Sequence, residues 1–216
     1  MDFIGAYSPD HLSFLIEGFY VTLKVAFVSI ILSFLIGGAI GILRYANIPV
    51  LSKVLALIVE VTRNLPLLLI IFFTYFALPE LGLKLSITAS AIAALTVFES
   101  AMISEIIRSG LNSIAKGQIE AGRSSGLSYV QTLRYTVLPQ ALRRMVPPLV
   151  SQFISLLKDT SLCVVIALPD LMHHAQVINA QSQKYIIPIF ILVAFMYFVV
   201  NYLLSIIARR LELKTS

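Results

Sequence analysis

The chain has 216 residues, 58% of them hydrophobic and only 12% charged, with a mean hydropathy of +0.92. A soluble domain carries about 25% charged residues. This composition therefore excludes an ordinary soluble protein, and it leaves room for about five or six spans of roughly 20 residues with no separate soluble domain. The formal net charge of +5 sits between apolar runs, which reads as membrane topology and not as a nucleic-acid surface.

The opening MDFIGAYSPDH has no basic stretch, and the apolar run behind it is too long for a signal peptide. The first predicted span covers 12–43. Along it Ser29, Ser33, Gly37 and Gly41 recur every four residues, a ridge of small side chains suited to close helix packing within the subunit or across a dimer. The second span, 54–78, contains Glu60, Arg63 and Asn64, and the third, 87–107, contains Glu99 and Glu105. The fourth, 146–168, contains Lys158 and Asp159, and the fifth, 185–208, is uncharged apart from its flanks. Continuous apolar runs without alternation predict helices, since a bilayer offers no water to satisfy an open backbone. Cys163 stands alone in an apolar run, and His173 and His174 are adjacent instead of spaced as helical ligands. No disulfide framework or metal site is predicted, and the two histidines read as loop residues.

Lysine and arginine set the orientation. The segment before the first span has none, and the following connections carry in turn Arg44 and Lys53, Lys84, a run from Arg108 to Arg144, and Lys184. Arg209, Arg210 and Lys214 close the chain. The alternation places the N-terminus outside and the C-terminus in the cytoplasm, with five spans between.

The cytoplasmic connection at 109–144 has a pattern of its own. Small residues crowd Ala121 to Gly126, Gly126 offers a helix stop with positive φ, and Ser128 is an N-cap candidate for a second short helix. Pro139 is expected to end or kink that helix, and Pro147-Pro148 to mark the start of the fourth span. Glu120, Ala121, Gly126, Leu138 and Pro139 fall at the positions of the EAA loop, which this segment resembles, with Gly122 in place of the second alanine and Thr136 in place of isoleucine. Together with VTRNLPLLL and VLPQALRRMVPPLVSQFISLLKDTSL, the stretch looks like the polar amino acid permease branch of bacterial ABC importers, from about Gly18 to Arg210.

The resemblance implies an all-α, type I importer-like permease in the bacterial cytoplasmic membrane. Its coupling residues would be Glu120, Ala121, Gly122, Gly126, Leu138 and Pro139. It implies a cytoplasmic ATPase dimer that holds ATP and magnesium, a second permease subunit, identical or related, and an extracytoplasmic solute-binding protein. The chain itself has no nucleotide-binding motif, so it is expected to bind no cofactor and to catalyse nothing.

Charges inside spans cost about 2.5–3.5 kcal/mol each on insertion scales and normally face a cavity or a partner. Glu60 with Arg63, and Glu105 with Arg108, are three apart and can pair on one helix face. Gln152, Ser155 and Asp159 form one polar stripe, with Lys158 and Thr160 beside it. Asp159 suits an ammonium group, and Arg63, Asn64 or Thr160 suits a carboxylate. These residues and Glu99 are the expected substrate path, with the 63–64 and 158–160 segments meeting at the central cavity. Glu99 resembles the acidic amino acid and glutamine members of the branch, so the glutamine, glutamate and aspartate class is favoured. Arginine or histidine is the alternative, and a secondary carrier the more distant one, poorly served by five spans without an internal repeat.

Overall fold

The computed structural model describes the backbone of residues 1–215, and the side chains of all but 207–209 and 211–216. Arg209 and Lys214, used above as topology signals, therefore lie outside the described side chains. A short turn, α1 (Phe3–Ala6), is capped by Asp2 and leads into α2 (Pro9–Tyr45). Ser8 caps α2, its Oγ accepting from His11 N–H at 3.4 Å, and Pro9 occupies the first helical position, where no amide hydrogen is needed. With 37 residues, α2 is about 55 Å long, well beyond a hydrocarbon core of about 30 Å.

The second predicted span is not one helix. Leu51–Asn64 (α3) and a segment beginning with α4 (Leu67–Phe72) and ending at Leu81 meet at 103°. Pro66 forces the break. Leu65 before it is extended (φ −88°, ψ 143°), as a residue ahead of proline prefers. Asn64 turns back and donates from Nδ2 to the Glu60 carbonyl at 2.8 Å and to Glu60 Oε1 at 3.0 Å, closing the helix end.

The scaffold centre is α5 (Ile87–Asn112), packed along α2. Ser29, Ser33, Gly37 and Gly41 are all buried, and Gly37 and Gly41 face α5 of the same chain. A Cβ on Gly37 would lie 2.6 Å from the Ser100 carbonyl oxygen, and one on Gly41 2.8 Å from that of Ser104. The small-residue ridge thus serves an interface inside the subunit.

After α5 come α6 (Lys116–Ser124), α7 (Tyr129–Thr132) and α8 (Leu138–Asp159). The irregular part of the predicted 109–144 connection is shorter than expected, because α5 extends through Asn112 and α8 already begins at Leu138. Pro139 does not end its helix. A wide π turn at Leu133–Val137 precedes it and removes the hydrogen bond that proline cannot make. The pair Leu78-Pro79 follows a second such turn at Phe73–Ala77. Pro147 and Pro148 lie inside α8 instead of starting it. The helical stretch runs from Tyr129 to Ile166, far longer than the predicted 146–168.

Beyond a 3-10 turn at Thr160–Ile166, Ala167 takes a left-handed φ of +56° and Asp170 caps α9 (Leu171–Gln181). The chain ends in α10 (Ile186–Thr215). Among the described residues there is no strand. Four stretches, 9–45, 87–112, 129–166 and 183–206, are long and apolar enough to cross a membrane, and the bent pair counts as a fifth if it is one span.

Candidate functional site

The segment between α5 and α8 is built to project. Gly126 takes φ +86° directly after α6, a conformation that glycine adopts without strain. Ser128 then starts α7 with a reciprocal cap: its Oγ accepts from Gln131 N–H at 3.2 Å, while Gln131 Oε1 accepts from Ser128 N–H at 2.8 Å. Gly122 is the buried contact of α6. A Cβ there would lie 2.7 Å from Thr132 Cγ2, which accounts for glycine where the resembled pattern has alanine. Glu120, Ala121, Arg123, Ser124 and Ser125 are exposed. Glu120 has no ion-pair partner among the described residues. Arg144 donates to the Ser113 carbonyl at 2.6 Å and so ties the base of this projection to the end of α5. Leu138 and Pro139 are also exposed, but on the long α7–α8 helix and apart from the projecting tip.

The charged residues of the spans divide into two groups. Glu105 collects three arginines: Arg44 of α2 at 3.0 Å, Arg63 of α3 at 3.7 Å and Arg108 of its own helix. Arg44 also donates to Ser104 Oγ at 3.1 Å. The expected Glu105–Arg108 pair forms, whereas the expected Glu60–Arg63 pair does not. Arg63 is drawn to the carboxylate shared with Arg44, and Glu60 is held by Asn64 instead. In the sequence Arg44 reads only as a topology signal, since nothing local marks its partner 61 positions away on another helix.

The second group lies on α5 and α8. Glu99 is fully buried, and Gln152 donates from Nε2 to its Oε2 at 2.9 Å, while Oε1 is buried without a partner. Ser155 and Asp159 follow on α8, half-buried, and Lys158 is exposed. Thr160 is buried, its hydroxyl donating to the Leu157 carbonyl at 2.8 Å. The structure thus unites Glu99 and Gln152, two residues that the sequence put on different spans. It does not join the 158–160 segment to Arg63 or Asn64, because both of those side chains are engaged elsewhere.

The histidines are not loop residues. Both lie in α9, where the His174 ring stacks on Phe14 with centroids 3.8 Å apart and its Nδ1 sits 2.6 Å from the Phe14 carbonyl. Asp170 accepts from His173 N–H at 2.9 Å, while its Oδ2 is buried without a partner. Burial pushes its carboxyl up to about 7, against backbone hydrogen bonds that pull it down. Thr22 of α2 accepts from Leu171 N–H at 3.1 Å and joins this corner to the scaffold.

Comparison with known proteins decides the family. Residues 29–216 match the family described as binding-protein-dependent transport system inner membrane component. The chain belongs to that family. The permease is 72% identical over 216 residues to the probable glutamine ABC transporter permease protein GlnP of Bacillus subtilis, covering 99% of each chain. It is 40% identical over 203 residues to the probable glutamine ABC transporter permease protein GlnM of the same organism, covering 94% of each. Among solved structures, the crystal structure of an amino acid ABC transporter with histidines superposes with a TM-score of 0.92 at 30% identity, covering 99% of both chains. The resemblance read along the chain from about Gly18 to Arg210 is borne out, and the permease has the fold of type I ABC importer subunits. It is a transport component and not an enzyme.

Proposed function

We propose that this permease is the membrane-spanning subunit of an ATP-driven importer carrying glutamine into the cytoplasm. The 72% identity to a probable glutamine permease, along the whole chain, is the observation that carries this reading. Two permease chains, identical or related, would enclose the path. The two different Bacillus subtilis chains matched at 72% and 40% keep both pairings in play. A solute-binding protein delivers substrate at the outer face, and two ATPase subunits holding ATP and magnesium sit below. With the N-terminus outside and the C-terminus inside, the bent pair 51–81 counts as one of five spans and α6 lies in the cytoplasm.

The geometry gives this reading a mechanical route. The contact of Gly122 with Thr132 fixes α6 to α7. From Tyr129 the helical stretch runs on to Asp159, through a π turn but without a gap. A push by the ATPase on Glu120, Ala121 or Gly126 would therefore reach Gln152, Ser155 and Asp159 on the same stretch. Glu99 Oε1, an acceptor without a donor, suits the amide or ammonium hydrogens of a passing glutamine. Lys158 and Asp159 would continue the path along α8. The unneutralised Asp159 and Glu60 favour, as a second reading, a cationic amino acid such as arginine or histidine.

The test is uptake into proteoliposomes containing this chain, its ATPase, its binding protein and any partner permease. ATP-dependent uptake of labelled glutamine over arginine and histidine is the expected result. Preferred uptake of arginine or histidine would select the second reading. Failure to move any of the three from a complex that hydrolyses ATP would refute the substrate assignment.

A further inference from the structure

A long groove separates α2 from the α7–α8 helix. Its volume is about 630 Å³, and Phe34, Ala39 and Tyr45 form one wall while Leu133, Leu142 and Met145 stand on the other. Among the described residues lining it, Arg134 alone is charged. The direction of the groove is set by its ends. Phe34 packs on Phe153 at one end, with ring centroids 6.4 Å apart. At the other, Tyr45 joins the cluster around Val137 beside the coupling segment. Arg134 stands at this second end, exposed, its guanidinium 5.6 Å from the Tyr135 ring centre. All ion pairs among the described residues converge on Glu105, so Arg134 has no carboxylate partner there.

The geometry points to an anionic phospholipid as the occupant, with one acyl chain in the groove and its phosphate on Arg134. Three features carry this. From Phe34 to Tyr45 the α2 wall is about 17 Å long, close to the half of a roughly 30 Å hydrocarbon core that one leaflet supplies. Between its two ends the walls carry no charged side chain among the described residues, so an occupant along that length must be apolar. An apolar channel with one unpaired cation at its membrane-surface end also matches the charge order of such a lipid, and a tyrosine beside that cation suits the headgroup level. A polar amino acid would find no partner for its charges along these walls. The leaflet is the one on the α6 side, which is the cytoplasmic leaflet in the orientation proposed above.

Tryptophan quenching tests this directly, because the chain contains no tryptophan. Leu142→Trp puts one reporter on the exposed groove wall of the assembled transporter, read as the difference from the same assembly without it. In vesicles of phosphatidylcholine, brominated phosphatidylglycerol should quench the reporter with about fivefold preference over brominated phosphatidylcholine, the value expected for one arginine near an anionic surface. Arg134→Gln in the reporter background should bring that preference to about one. Ala39→Phe, filling the groove from an exposed position, should weaken quenching by both lipids. An equal preference with and without Arg134 would overturn the proposal, and so would a reporter that neither lipid quenches, since a protein segment would then cover the groove. ATP-driven glutamine uptake in the same vesicles separates the two readings. Uptake with a flat lipid preference sinks only the lipid site, and an intact preference without uptake sinks only the transport assignment.

Discussion

Placing one methyl group on Gly37 tests the α2–α5 interface more sharply than any large substitution. The Cβ of Gly37→Ala would lie 2.6 Å from the Ser100 carbonyl oxygen, and ordinary contact begins at 3.4 Å. Neither atom can swing away, since the oxygen belongs to helix backbone, so α2 must retreat by about 0.8 Å. A gap of 0.5–1 Å already forfeits about a quarter to a half of each dispersion contact nearby. Overpacking of this kind costs about 1–3 kcal/mol, and at roughly 2–4 °C per kcal/mol for a chain this size the melting temperature should fall by about 5 °C. The adjacent Gly38 is the control. Its added Cβ would meet only Ile107 Cδ1, at 3.7 Å, so Gly38→Ala should be neutral or raise the melting temperature slightly through helix propensity. Thermal unfolding of the detergent-solubilised complex reads both. Equal loss in the two variants, or none in Gly37→Ala, would refute the claim that backbone-to-backbone approach sets this interface.

Glu105→Gln leaves Arg44, whose side chain is only 8% exposed, without a counter-charge. It should cost about 3 kcal/mol, against less than about 1 kcal/mol for Arg63→Gln, whose pair is long and partly in solvent; the order of the two melting temperatures checks this. Glu120→Arg changes only an exposed, unpaired side chain, so stability should hold within about 0.5 kcal/mol while retention of the ATPase on an affinity column drops. The raised carboxyl of Asp170 gives a pH test. The folded state holds its proton to about 7 and the unfolded chain only to 3.8. Stability from this group is therefore full below 3.8 and is lost as pH rises through about 7. The melting temperature should decline over that window, and Asp170→Asn, which keeps a capping side chain, should flatten the decline.

What the sequence made legible was local. Gly126 and Ser128 announced a helix stop and a helix start because both depend on one residue's backbone or side chain. The four-residue spacing of Ser29 to Gly41 revealed a packing face, but the packing partner required tertiary information. The arginine-to-glutamate convergence was invisible for the same reason, and Arg63 went to a distant carboxylate although one stood three residues away. Prolines misled in both directions. Pro66 breaks its span at 103° even though the apolar run continues through it, while Pro139 leaves its helix unbroken because a widened turn precedes it. His174 offered no pattern at all, since its role comes from a ring 160 positions earlier in the chain. Of the expected path, the Glu99–Gln152 contact joins two spans, and no spacing rule links residues on separate helices.

The π turn at Leu133–Val137 has a rotational consequence. One additional residue in a helix carries everything before it through about 100° relative to everything after it. The projecting tip at α6 and the polar side chains of α8 are therefore out of phase by nearly a third of a revolution compared with a plain helix of the same length. Deleting a single residue there would leave composition, hydropathy and both ends nearly unchanged. By closing the wide turn into an ordinary one it would also keep the tip's aim, whereas the same deletion in the regular part of α8 would swing the tip through about 100°.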